Sequence, residues 1–246
     1  MNILIIGDSW GVGEWPDPAE KSAYTEYRNM NHYGLAQYLE EAGHNVVNLS
    51  EGGKSNKYIS WMLKFYLQRV NKNIDLVYIF QTEFYKELVL EEFDTNSFEH
   101  LLNQYNSRFL RALSEISQDY NVKINLIGGA SDTDNYPNLE SDFPGVKIAC
   151  QSLVNLLVNS DPNVSKPLFS YVIPKNKLIE FKNKFDDLEF ILDFIDAGLS
   201  RGRQIQTNKF LFWPDGSHPN RIGHKILFDY LTKHNTELII NNNTQD

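Results

Sequence analysis

Ile3-Leu4-Ile5-Ile6-Gly7-Asp8-Ser9 opens the chain with branched apolar residues and stops abruptly at Gly-Asp-Ser. A short apolar run closed by turn-forming residues reads as a strand buried on both faces, the first of a parallel sheet. Ser9 then falls in a loop at the carboxyl end of that strand, where open α/β sheets carry their functional groups. Far downstream the chain reads Asp215-Gly-Ser-His218-Pro219. A serine hydroxyl is a poor nucleophile at neutral pH. It needs an imidazole to take its proton and a carboxylate to hold that imidazole in the right tautomer. The two stretches supply all three groups. Asp215 and His218 fit on one turn, and Pro219 suits the start of a helix through Ile222, Ile226, Leu227 and Leu231.

Strand and helix patterns alternate between the two stretches. Strands are expected at Asn2 to Ile6, Asn45 to Leu49, Leu76 to Phe80 and Val122 to Gly128. Helices are expected at His32 to Ala42, Lys57 to Val70 and Phe98 to Tyr120, the second carrying Ile59, Met62, Leu63, Tyr66, Leu67 and Val70 at helical spacing. Such alternation predicts right-handed crossovers and a mainly parallel sheet covered on both faces. After Gly129 the pattern loosens. Ser131 to Gly145 reads as a long loop, and Ile148 to Val158 and Lys175 to Leu199 as helices, so that about 131–205 forms an irregular, partly helical insertion. The expected organisation is one domain over 1–240 and a frayed polar tail over 241–246.

The Gly-Asp-Ser block after the first strand and the Asp-x-x-His block near the end together resemble the SGNH hydrolases, also called the GDSL esterase/lipase family. The resemblance implies a flavodoxin-like three-layer α/β/α sandwich and ester hydrolysis without metal or organic cofactor. It assigns Ser9 as nucleophile, His218 as base and Asp215 as its orienting carboxylate. It also implies three donors for the oxyanion: the backbone N–H of the nucleophile, a glycine after the second strand and an asparagine after the third. Asn48-Leu-Ser-Glu-Gly52-Gly53-Lys-Ser55 resembles the second of these blocks and points to Gly53, with Gly52 as its rival. The third strand departs from the pattern, running Phe80-Gln81-Thr82-Glu83-Phe84-Tyr85 with no asparagine. Asn56, at the start of the second long helix, is the favoured substitute, with Gln81 and Thr82 as alternatives. Its competing role is to cap that helix.

Read for themselves, these residues have plainer roles. Asp8 and Ser9 suit the capping of a turn, and Asp215 and Ser217 the capping of a helix with His218 on the surface. The order Gly7-Asp-Ser-Trp-Gly-Val-Gly13 is neither a dinucleotide fingerprint nor a phosphate loop. His224 lies near Asp215 and His218, yet no further ligand cluster supports a metal site. His32, His44, His100 and His234 read as surface residues, and Cys150 as a small packed one.

Composition bounds the partners. The formal charge of −9 argues against non-specific attraction to nucleic acid or anionic membranes. No apolar run approaches a membrane span. With no signal-like N-terminus and one cysteine, a cytoplasmic location is expected, and the many Asn and Lys residues are compatible with a virus-encoded protein. The expected partner is a small-molecule or carbohydrate ester. An O-acetylated sugar is the preferred substrate because Trp10, Trp15, Tyr24, Tyr27 and Trp213 lie near the two blocks, with Glu83 available for a sugar hydroxyl. The missing asparagine motivates a second reading, in which the scaffold is retained as a binding or structural module with little turnover.

Overall fold

The computed structural model describes residues 1–13, 33–70, 73–82, 98–129, 139–160, 219, 221–234 and 238. Along these run β1 (Asn2–Gly7), α1 (Ser9–Val12), α2 (Leu35–Glu41), β2 (Asn45–Asn48), α3 (Asn56–Arg69), β3 (Leu76–Gln81), α4 (Phe98–Tyr120), β4 (Lys123–Gly128), α5 (Leu139–Asp142), β5 (Val146–Cys150), α6 (Leu153–Ser160) and α7 (Arg221–His234). Among the described residues the five strands form one sheet, ordered β2-β1-β3-β4-β5 with every pairing parallel. This is the doubly wound, flavodoxin-like order, and its direction reverses beside β1.

Strand periodicity divides the apolar residues between the two faces. Ile3, Ile5, Leu76, Tyr78, Phe80 and Ile127 pack under α2, α6 and α7. Leu4, Ile6, Val77, Ile79, Ile124 and Leu126 pack under α3 and α4. Each such Ile or Leu, taken fully from water, contributes roughly 1.5–3 kcal/mol before conformational entropy is set against it. The central strands are therefore apolar at consecutive positions, whereas the edge strand β2 is nowhere fully buried. The result is the expected three-layer α/β/α sandwich.

Local chemistry sets the helix limits. Ser55 caps α3 by accepting from the Tyr58 N–H at 3.3 Å, leaving Asn56 as the first helical residue. The capping role considered for Asn56 thus belongs to its neighbour. Ile59 and Leu63 bury one face of α3, while Trp61 and Phe65 stack on the other.

Two expectations are corrected. The first is the helix over Ile148 to Val158: Val146–Cys150 is the fifth strand, paired with β4, and helix begins only at Leu153. The mainly apolar stretch from Ile148 to Val158, broken by Gln151, Ser152 and Asn155, does not by itself separate strand from helix. The break is made by Ser152, whose carbonyl accepts the Leu156 N–H at 3.0 Å and whose hydroxyl donates to the Gly129 carbonyl at 3.2 Å. The preceding loop also contains the α5 turn and closes at Gly145, in the left-handed region at φ 86°. The second correction is His44, which is 5% exposed rather than on the surface. Burial lowers its pKa from 6.5, and the positive amino terminus lowers it further. Cys150 is buried, as expected. The helix expected over Lys175 to Leu199 and the polar tail lie outside the described residues.

Candidate active site

The carboxyl ends of β1, β2 and β3 converge around Ser9. Gly7, the last residue of β1, stands opposite Phe80 of β3 in the parallel register. A Cβ on Gly7 would lie 2.5 Å from the Phe80 Cβ and 2.9 Å from its carbonyl oxygen. Among the described residues the positive-φ glycines are Gly13, Gly43, Gly53 and Gly145, so Gly7 serves close strand approach rather than a left-handed turn. A Cβ on Gly11 would likewise strike the Ser50 hydroxyl and come within 2.9 Å of the Phe80 ring. The Ser9 turn is therefore pressed down onto the sheet.

Asp8 directs that turn. Its backbone is extended, its Oδ1 accepts the Trp10 N–H at 3.0 Å, and its carbonyl accepts the Gly11 N–H at 3.1 Å. Ser9 thereby becomes the first residue of α1, 9% exposed. Trp10 is partly buried and packs against the core beneath α7. The chain after β2 is laced to the same turn. Asn48 Nδ2 donates to the Gly11 carbonyl at 2.8 Å, and the Glu51 N–H donates to the Gly7 carbonyl at 3.0 Å.

Gly53 is exposed, with φ 75° and no atom within 4 Å of where its Cβ would be. Only its backbone conformation, not crowding, requires glycine there. The turn it makes is flanked by an ion pair between Lys54 and Glu51 at 3.1 Å, and the Tyr58 hydroxyl donates to the same carboxylate at 3.1 Å.

Asn56 is 4% exposed and grips the end of β3 at two points. Its Nδ2 donates to the Thr82 carbonyl at 2.9 Å, and its Oδ1 accepts the Thr82 N–H at 3.0 Å. The Thr82 hydroxyl donates in turn to Asp8 Oδ2 at 2.9 Å. Both donors of Thr82 thus point into the protein, and one of the two Nδ2 hydrogens of Asn56 is already committed. Gln81 is partly buried, and its amide oxygen has no hydrogen-bond partner among the described residues. Sequence reasoning treated Asp8 as a turn cap and Thr82 as a substitute donor. The link between them was not visible, because it joins residues 74 positions apart.

Asp215, His218, Trp213 and Glu83 lie outside the described residues. The chain that follows them is described from buried Pro219 and from Arg221 onward. In the first turn of α7, His224 is fully buried, its ring edge-on to that of Phe80 at 6.3 Å between centroids. Its Cδ2 lies 3.6 Å from where a Gly34 Cβ would be. His224 is thus part of the packed interior of α7, and the start of that helix sits on the strand end beside Gly7. Among the described residues no three His, Cys, Asp or Glu side chains gather as a metal site, and no helix is long and apolar enough to cross a membrane.

Sheet order and site together define a doubly wound α/β protein with a buried serine at the carboxyl end of its first strand. No protein-family model and no curated protein matches the chain. Among solved structures it is similar to TesA, at 13% identity and TM-score 0.47 over 97% of this chain and 100% of that one. It is also similar to the psychrotrophic esterase EstA from Pseudoalteromonas sp., at 16% identity and TM-score 0.43 over 96% and 97%. A third similar structure is AlinE4, an SGNH-hydrolase family esterase, at 15% identity and TM-score 0.43 over 76% and 94%. All three likenesses are distant.

Proposed function

We propose that the protein is a serine ester hydrolase of the SGNH type. Ser9 Oγ attacks the ester carbonyl while His218 takes its proton, and Asp215 holds the imidazole and balances its charge. Collapse of the tetrahedral intermediate expels the alcohol, protonated by His218, and leaves an acyl group on Ser9. Water, deprotonated by the same imidazole, then attacks the acyl carbonyl and releases the acid. The backbone N–H groups of Ser9 and Gly53 and the uncommitted amide hydrogen of Asn56 are the proposed oxyanion donors. Each such donor is typically worth about 3–4 kcal/mol of barrier. The reaction needs no cofactor from this chain.

The observation that carries this reading is the seat of α7 on Phe80. The residues leading into that helix include His218, and Phe80 lies against both Gly7 and Gly11, which flank Ser9. The proposed substrate is an O-acetyl ester on a carbohydrate, with Trp10, Trp213 and Glu83 as its contacts, and the proposed setting is a cytoplasmic, virus-encoded enzyme.

Fluorogenic acetyl esters and a fluorophosphonate probe test the assignment. Wild-type protein should turn over the ester and take one label, and Ser9→Ala should do neither. Wild-type protein that matches Ser9→Ala in both assays would leave the binding-module reading in its place.

A further inference from the structure

We propose that Thr82 is a positioning residue for Ser9, acting through Asp8 rather than touching substrate, and that Asn56, besides the oxyanion role proposed for its free amide hydrogen, holds Thr82 in place. The inference rests on the assignment of Ser9 as nucleophile. It assigns to the third-strand loop, which lacks the asparagine of the SGNH pattern, a different part in the same reaction.

Four hydrogen bonds form one chain. Asn56 holds the Thr82 backbone through both its carbonyl and its amide, at 3.0 and 2.9 Å. A side-chain amide paired with a backbone amide in this way imitates one more rung of sheet, carrying the order of β3 past Gln81. The Thr82 hydroxyl then holds Asp8 Oδ2 at 2.9 Å, and Asp8 Oδ1 holds the Trp10 N–H at 3.0 Å. Ser9 lies between Asp8 and Trp10, so its φ and ψ are framed on both sides by groups this carboxylate fixes. Asp8, Asn56 and Thr82 are 5%, 4% and 4% exposed. Water therefore has little access to replace a lost partner, and a buried polar chain of this kind holds one geometry more tightly than its separate bonds would. Charge also favours the arrangement. A carboxylate accepting from a hydroxyl and an N–H makes charge-assisted bonds, the stronger class.

The alternative is that the chain only stabilises the fold. The two accounts differ in kinetics. Misplacing a nucleophile by a fraction of an ångström lowers the rate of the bond-forming step without weakening substrate binding. A purely structural defect lowers the folded fraction and leaves each folded molecule fully active.

The test uses p-nitrophenyl acetate hydrolysis and the rate of fluorophosphonate labelling in wild type, Thr82→Val, Thr82→Ala and Thr82→Ser, with folded fractions measured by circular dichroism. For Thr82→Val, kcat per folded molecule should fall about tenfold or more with KM within about twofold, and labelling should slow in parallel. Thr82→Ser, which restores the hydroxyl, should recover kcat to within about threefold of wild type. Should Thr82→Val not fold, Thr82→Ala against Thr82→Ser makes the same comparison. Unchanged kcat in the folded Val or Ala variant, or failure of Ser to rescue, overturns the inference. A wild-type protein that neither labels nor hydrolyses removes the nucleophile assignment and the inference with it. Normal labelling of both wild type and Thr82→Val removes the inference alone.

Discussion

The His224 ring stands edge-on to Phe80, 6.3 Å between centroids, and so joins the first turn of the last helix to the end of the third strand. Phe80 also meets Gly7, its partner in the parallel register, where the Cβ that alanine would add comes to 2.5 Å. One aromatic residue thus touches both the chain around Ser9 and the helix that follows residue 218.

That crowding predicts the effect of Gly7→Ala. The neighbours of the new methyl are the Phe80 Cβ and backbone, which cannot swing away, so overpacking should cost at least about 1–3 kcal/mol. Phe80→Ala alone should cost about 3–5 kcal/mol as a cavity. Because alanine at 80 keeps the Cβ and backbone atoms that Gly7→Ala strikes, urea titration of the double variant should give about the sum of the two. A double variant no less stable than Phe80→Ala alone would deny that those atoms limit Gly7.

Gly53→Ala should separate conformation from chemistry. Nothing crowds the site, so the expected stability loss is only the left-handed backbone penalty of about 1–2 kcal/mol. If the Gly53 N–H serves the oxyanion, the accompanying shift of that turn should reduce turnover at least about tenfold. A chemical-denaturation midpoint lowered as expected beside unaltered turnover would remove Gly53 from the proposed donors.

Acid should abolish turnover before it unfolds the protein. As the proposed base, His218 must be neutral to accept the Ser9 proton, so the rate should fall as acid protonates it. A rate flat from mildly acid to neutral pH would exclude histidine as the base.

Stability has its own pH dependence through His44. Burial holds its folded pKa below 6.5, so the unfolded chain binds the proton first as pH falls. Its contribution is complete above about 6.5 and is lost as pH drops from there towards the lower folded value. Thermal midpoints should decline from pH 7.5 to 5.5 in wild type and decline less in His44→Leu. Equal declines would assign the effect to other groups.

Much of the scaffold is written in local pattern. Ile3 to Ile6 and Leu76 to Phe80 are apolar at consecutive positions because both their faces are covered, and they read as buried strands at sight. The α4 limits, Phe98 and Tyr120, are those the sequence predicts. The β5 strand is hard to see in the sequence because Ile148 to Cys150 and Leu153 to Val158 are both mainly apolar with only Gln151 and Ser152 between them, so a strand and a helix merge into one pattern. Only pairing with β4, a tertiary event, separates them. His44 was misread for a related reason. Nothing within a few residues shows that an edge histidine will be covered by chain from the other end of the molecule.

The candidate site divides in the same way. Gly7, Asp8 and Ser9 were legible as a motif, but the reason for Gly7 was not, since it is a neighbouring strand rather than a turn. Asn56 was singled out for its amide. Its grip on Thr82 depends on β3 ending beside the start of α3, a relation set by sheet order and absent from local spacing.

The two layers of helix also differ in when they become available during synthesis. Among the described residues, the face closed by α3 and α4 draws on positions within the first 148 of the chain. The opposite face, with Ile3, Ile5, Tyr78 and Phe80, also needs Leu227 and Leu231. A ribosome-bound chain therefore presents a half-covered sheet until α7 emerges, and the serine turn it carries takes its final surroundings only then.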